Sequence, residues 1–387
     1  MTRKSLLLLA AGLSCLLTVG ILLQTRYATV TSTTPSMTSS DETYMSCNEY
    51  IESLNVPFEA ILIDETVLRA IHAQNCAKLS GKLVKLGVET KKADKGILGD
   101  KRFDVIPYED RLENDYLKFK DDVVRIVLRQ NTTTFGNLKI PESIAVFLEM
   151  WRRSRLLECL GLKIQRMPYD QNAYFPKRKG VRALSSLRDT LLSFGMFSFL
   201  QGGSLLGWYR ECSLIPHTYD VDVGVFIDDY NPKFLDALIR NETDFHISRR
   251  LGMVNDSYEF TVTPESNEKI AMDIFFMYNE GNQSWVGGTS NNRAKFKYFY
   301  PRYDPYCAAS LLGHLFWVTC RPGVMLKNEY GPSWHIDHPT RKFSWYSSTK
   351  NSAPAGYWDE DVFDREVYWT KYQNRTIFEF LEQSNLQ

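Results

Sequence analysis

Two acids one residue apart, Asp220 and Asp222, open the otherwise apolar run DVDVGVFI. A β-strand has a side-chain period of two, so both carboxylates would point to one face, about 6–7 Å apart along the strand. Hard divalent cations prefer such oxygen donors, and the spacing suits one or two bridged ions. Taken alone, the pair also fits two solvated acids at a strand edge. Asp273 shifts the balance, because it lies between Met272 and Ile274-Phe275-Phe276, where a charge buried without a partner is costly. Sharing metal with Asp220 and Asp222 removes that cost. Gly202-Gly203-Ser204 precedes the first acid by 16 to 18 residues. Glycines at a helix-to-strand turn let backbone N–H groups approach a phosphate closely, and Ser204 adds a hydroxyl. The pattern predicts metal-assisted phosphoryl chemistry, with Asp220, Asp222 and Asp273 as catalytic metal ligands, Mg²⁺ as cofactor and Mn²⁺ as its substitute.

Further binding candidates surround this pattern. Gly202, Gly203 and Ser204 are expected to bind substrate, and Arg210 follows them closely enough to reach phosphate, though an exposed structural arginine fits as well. Lys295 and Lys297 alternate with Phe296 and Tyr298, so they share one strand face and suit a diphosphate, against the plainer role of solvated lysines. Trp208 and Tyr209 suit stacking on a base or packing in the core. His217, three residues before Asp220, reads as a loop histidine, and Asp228 and Asp229 beside Asn231-Pro232 read as a turn. No cysteine pair has CxxC spacing, which argues against zinc despite His335 and His338.

These residues need elements to position them. FEAILIDETVLRAI, from Phe58, reads as an opening βα unit, residues 143–160 and 181–199 as helices, and the stretches around Asp220 and Asp273 as strands. The expected class is α/β (α+β). Its parts are a cytoplasmic tail (1–5), a transmembrane signal anchor (6–23), a Ser/Thr-rich stem (24–45), an N-terminal α/β domain (46–175) and a catalytic domain (176–387).

Residues 6–23 carry no charge, and at about 1.5 Å per residue they span roughly 27 Å, near the thickness of a bilayer. Arg3 and Lys4 before the run favour a cytoplasmic N-terminus; a cleaved signal peptide is the rival reading. Sequons at Asn131, Asn241, Asn255, Asn282 and Asn374 are expected glycosylation sites, and six cysteines beyond Cys15 allow up to three disulfides in an oxidising compartment. Lysine plus arginine number 46, as do aspartate plus glutamate. That balance excludes the basic footprint of a nucleic-acid binder.

The order GGS, DxD on a strand, then Asp on a later strand resembles the nucleotidyltransferase (polymerase-β-like) fold. The words GGSLLGWYRECSLIPHTYDVDVGVFIDDY, AMDIFFMY and WVGGTSNNRAKFKYFYP resemble the fukutin family within the wider LicD-type phosphotransferase group. The resemblance continues through Cys307, Cys320 and EYGPSW, and more loosely through AILIDETVL and FLEMWRRSRLLEC. It implies an alditolphosphotransferase anchored as a type II protein in the Golgi or endoplasmic reticulum membrane, with a lumenal catalytic domain. Fukutin itself moves ribitol 5-phosphate from CDP-ribitol to the O-mannosyl glycan of α-dystroglycan, whereas LicD relatives move phosphocholine. The implied partners are therefore a CDP-linked sugar-alcohol donor, a glycoprotein O-glycan acceptor and the membrane. By the same motif, Asp220 and Asp222 are the paired ligands and Asp273 the third.

Two other readings remain open. A Golgi DxD glycosyltransferase shares the metal dependence, but its DxD usually ends a strand after an apolar run, whereas Pro216-His217-Thr218-Tyr219 stand before this one. A noncatalytic scaffold for other glycan-modifying enzymes, associating through the first domain, fits poorly with three retained carboxylates.

Overall fold

The computed structural model describes residues 45–77, 79, 83–166, 175–266, 269–373, 376–377 and 379–380. The first half opens on the helix Cys47–Ser53, closed by a reciprocal capping box between Ser46 and Glu49. The strand Ala60–Leu62 and the helix Glu65–His72 then form the expected βα unit, with Asp64 accepting from the N–H groups of Thr66 and Val67. Ala60–Leu62 pairs antiparallel with Val84–Glu89 and parallel with Leu138–Pro141. Phe103–Asp110, Tyr116–Lys120 and Val124–Leu128 extend the sheet from the Val84 side.

Two helix boundaries differ from the expectation. The helix beginning at Ile144 stops at Arg152, and Arg155–Leu157 is a strand paired in parallel with Cys307–Leu311. That pairing is tertiary and overrides a local helical pattern. The next helix runs Lys177–Ser193 and ends before Gly195, whose φ of +78° favours glycine. Phe199–Leu200 is then a short strand, antiparallel to Asp220–Phe226. The Gly-Gly-Ser word therefore lies at a strand-to-helix turn, opening the helix Gly202–Glu211, and not at the expected helix-to-strand turn.

The described strands join into one mixed sheet of nineteen. The Arg155–Leu157 ladder links its first-half strands to Cys307–Leu311 and His314–Val318. The latter pairs with Phe199–Leu200, which leads to Asp220–Phe226 and Ala271–Glu280. There the sheet forks: the first part of Ala271–Glu280 pairs with Asp256–Pro264, and its last part with Gln283–Thr289. Leu184, Leu187 and Leu191 on the long helix are fully buried. Disulfides join Cys47 to Cys76, Cys159 to Cys212 and Cys307 to Cys320, and the described residues from Met45 onward form one compact unit.

The fold class is thus mixed α/β with a large sheet, and the expectation of a single-pass membrane helix is corrected. Residues 6–23 lie outside the described set, and among the described residues no helix is long and apolar enough to cross a membrane. The longest described helix, Lys177–Ser193, has 17 residues and six charged side chains.

Asp115 fastens the two halves. Its carboxylate accepts from Arg188 Nη1 at 3.0 Å and from the Leu315 N–H at 2.8 Å, and His314 Nδ1 lies 2.9 Å away. Burial alone would raise this carboxyl, but the His314, Arg188 and Leu315 contacts outweigh it and hold it below the ordinary value. A depressed carboxyl stabilises the fold above its unfolded value of about 4, and that stabilisation is lost as pH falls through the folded value. Asp115→Asn is expected to cost roughly 1–3 kcal/mol near neutral pH. The deficit should close as pH drops below about 4, read by urea denaturation across a pH series.

Candidate functional site

The strands Asp220–Phe226 and Ala271–Glu280 run parallel, in a register that sets Asp222 opposite Asp273. Alternation puts Asp220 on the same face. One carboxylate oxygen from each of the three lies within 4.8 Å of the others. Thr261 stands opposite Asp273 on the next strand, and Arg249 opposite Thr261 on Phe245–Met253. Asp222, Asp273, Thr261 and Arg249 therefore form one row across four strands. Arg249 joins it through a β-bulge: register slips between Ile247 and Arg249, two residues that a regular strand would put on one face. The slip leaves Ile247 in the apolar core and turns Arg249 to the carboxylate side.

Each acid is held by its neighbours. Asp220 Oδ1 accepts from the Thr218 hydroxyl at 3.2 Å. Asp222 accepts from the Gly203 N–H at 3.0 Å, and its own N–H donates to Ser204 Oγ at 2.8 Å. Asp273 Oδ1 accepts from the Thr261 hydroxyl at 2.5 Å and lies 3.4 Å from Arg249 Nη2. Gly202 has a φ of +50°, and a Cβ there would come 3.1 Å from Asp222 Oδ2, so both conformation and space favour glycine. The two glycines and Ser204 are thus turned toward Asp222.

The other expected ligand-binding residues are committed elsewhere. Arg210 is 2% exposed. Its guanidinium donates to Glu211 Oε1 and to the carbonyls of Trp334 and Ile336, so it closes a buried network and does not await a phosphate. That network includes Asp337, which Arg166 contacts and which lies 3.0 Å from His217 Nε2. Lys295 pairs with Asp256 at 3.1 Å and lies over the Trp358 ring, and Lys297 lies 3.6 Å from the Trp285 ring centroid. They share a face of Ala294–Pro301, as the alternation predicts, but each already has a partner. Trp208 is fully buried, and Tyr209 stacks on Trp334. Asn131, Asn241, Asn255 and Asn282 are exposed, whereas Asn374 lies outside the described residues.

A profile described as "LicD/FKTN/FKRP, nucleotidyltransferase domain" matches residues 195–321, the segment that holds the whole four-strand row. A second, described as "W02B3.4-like, N-terminal domain", matches residues 46–158. The chain is 42% identical over 334 residues to the uncharacterized protein T07A5.1 of Caenorhabditis elegans, covering 84% of this chain and 88% of that one. It is 40% identical over 325 residues to W02B3.4 of the same organism, covering 82% and 84%. It is 31% identical over 247 residues to the ribitol-5-phosphate transferase FKTN of Mus musculus, covering 62% of this chain and 52% of the mouse protein. The chain belongs to the fukutin/LicD family.

Within this LicD-type site the acids crowd one another. Burial raises Asp222 well above the ordinary carboxylate range, with the charges of Asp220, Asp273 and Glu329 adding to it. Asp220 is raised by burial and then by Asp273, and Asp273 by burial against the offsetting pull of Arg249 and Thr261. All the crowded donors are hard carboxylate oxygens, which is the set that Mg²⁺ or Mn²⁺ prefers.

Composition and spacing missed Arg249, Thr261, Glu259 and Glu329. Glu259 accepts from Arg249 at 2.7 Å and is pushed up to about 7 by burial, against the pull of Arg249. Glu329 accepts from the Tyr300 hydroxyl at 2.9 Å, and Tyr300 in turn accepts from Gln201 Nε2. Burial pushes Glu329 up to about 7 as well, against its tyrosine partners. The alternation of Glu259 and Thr261 was a usable signal for a shared face, but nothing local names the strand they pair with.

Raised carboxyls favour the folded state once protonated, and that contribution is lost as pH rises through their folded values. Asp222→Asn removes the most strongly raised charge. In EDTA at pH 7 it is expected to melt a few degrees above the wild type, and that advantage should shrink as pH falls and the wild-type acid takes up its own proton. Added Mn²⁺ should raise the melting temperature of the wild type and leave the variant unchanged, as measured by calorimetry.

Proposed function

We infer that the protein is a metal-dependent transferase that moves an alditol phosphate from a CDP-linked donor to a protein-linked glycan. The observation that carries this reading is the trio Asp220, Asp222 and Asp273, brought within 4.8 Å of one another inside the segment matched by the LicD/FKTN/FKRP nucleotidyltransferase profile. Similarity to a protein named a ribitol-5-phosphate transferase supports ribitol 5-phosphate as the first group to test. Bound Mg²⁺ would neutralise charge on the donor diphosphate, a recurring requirement of phosphoryl transfer.

The chain's own residues supply position. Gly203 and Ser204 fix Asp222, Thr218 fixes Asp220, and Thr261 with Arg249 fixes Asp273. Ligand oxygens locked in this way keep their geometry without reorganising during reaction. The acceptor hydroxyl oxygen bonds to the phosphorus that bears the alditol, the phosphoanhydride bond breaks with CMP leaving, and the hydroxyl proton passes to the Asp273 carboxylate.

Three disulfides and four exposed sequons support a compartment that is oxidising and glycosylating, such as the lumen of the endoplasmic reticulum or Golgi. Purified protein with Mg²⁺ should release CMP from CDP-ribitol in preference to CDP-glycerol or CDP-choline. Asp222→Asn should lower that turnover by at least about a thousandfold while circular dichroism shows the fold retained. Release of UDP or GDP from nucleotide sugars instead, or wild-type turnover by the variant, would overturn the reading.

A further inference from the structure

Among the described residues, Arg249 is the one cation hydrogen-bonded to the trio, through Nη2 at 3.4 Å from Asp273 Oδ1. Its remaining contacts hold it without covering it. Nε donates to Thr261 Oγ1 at 2.9 Å, and Nη2 to Glu259 Oε1 at 2.7 Å. Nη1 has no hydrogen-bond partner among the described residues, and the side chain is 37% exposed. Glu259, at 6%, is buried. An arginine clamped along one edge by a buried acid and a hydroxyl, with a free nitrogen beside metal-binding carboxylates, is arranged to take an oxyanion.

A counter-ion role alone explains this poorly. The tighter partner of Arg249 is Glu259, not Asp273, so neutralising Asp273 is not what its geometry chiefly serves. A bulge also interrupts the strand to bring this side chain into the row, a device found next to active sites, where it re-aims one residue. Arg210, which sequence spacing favoured, has the opposite environment: it is buried and bonded to two carbonyls and a carboxylate.

We propose that Arg249 is a catalytic residue that grips the diphosphate of a nucleotide-linked donor, its Nη1 hydrogen-bonding an oxygen of the phosphoryl group in transfer. No bond to Arg249 forms or breaks, and its guanidinium stays protonated throughout. Glu259 and Thr261 are the positioning residues that aim it.

The proposal rests on the phosphotransfer reading, so its test uses inorganic pyrophosphate, whose binding does not depend on the base or alcohol of the donor. In wild-type protein with Mn²⁺, pyrophosphate is expected to protect Arg249 from phenylglyoxal, as mapped by peptide mass. Arg249→Met should bind pyrophosphate about 10- to 100-fold more weakly, and Arg249→Lys should fall between, both losing far less affinity for Mn²⁺ than for pyrophosphate. Absence of protection, wild-type pyrophosphate affinity in Arg249→Met, or equal loss of Mn²⁺ and pyrophosphate binding would overturn it. If Arg249→Met does not fold, the wild-type protection experiment decides. Protection without any CMP release from CDP-alcohols would sink the donor assignment and leave Arg249 as the anion-binding group.

Discussion

A parallel ladder that sets Asp222 directly opposite Asp273 is the constraint on which the rest of the site depends. Two acids in register on neighbouring strands, with Asp220 on the same face, repel one another, and burial strengthens that repulsion. Such an arrangement persists only where the surrounding fold fixes it. Here the register is shared by seven consecutive residue pairs between the two strands, from Asp220 with Ala271 to Phe226 with Met277. Val221, Val223 and Val225 on the opposite face are buried in the core, as are Met272 and Ile274. A slip of one residue would carry the acids into that core and the valines out of it. The apolar face thus holds the acids together against their charge.

The elements beside the ladder add precision. The helix that begins at Gly202 touches Asp222 with its first backbone groups, and its far end is fixed by Cys212, which takes a left-handed conformation and is bridged to Cys159. Close to that end, a Cβ on Gly207 would meet the Ser213 carbonyl oxygen at 2.7 Å, so the chain that leads on to Asp220 packs directly against the helix that holds Asp222. Buried Arg210, His217 and Asp337, with half-buried Arg166 and Glu211, tie the same stretch to the segment 334–340. Charges that satisfy one another out of water contribute little net stability, but removing one partner is costly. Such a network defines a position more than it strengthens the fold.

What the sequence disclosed follows the range of each signal. Asp220, Asp222 and Asp273 were legible because an acid inside an apolar strand is anomalous at short range, and Gly202 and Gly203 because glycine is conspicuous. The strand pairing that unites them was inferred from chemistry. The role given to Arg210 rested on proximity in sequence and that of Lys295 and Lys297 on alternation within one strand, and neither signal says which neighbours a long side chain meets. Arg249 was invisible for a physical reason: a bulge changes the parity of a strand, and parity is what alternation arguments use. The strand Arg155–Leu157 was read as helix because its partner, Cys307–Leu311, lies some 150 residues away in the chain.

The distribution of the arginines bears on how a chain of zero formal net charge would hold the anionic donor proposed for it. Arg210 and Arg188, at 2% and 3% exposure, are consumed by internal acids and carbonyls, so their charge is cancelled where it stands. Arg249 is cancelled only on one edge. Around it, Asp220, Asp222, Asp273 and Glu259 leave the cluster acidic, a field that by itself would repel a diphosphate and draw divalent cations. On the proposed reading, cation binding would be the step that turns a repelling cluster into one that accepts phosphate. An arginine already fixed in that cluster adds hydrogen bonds of defined direction, which a metal ion alone does not provide.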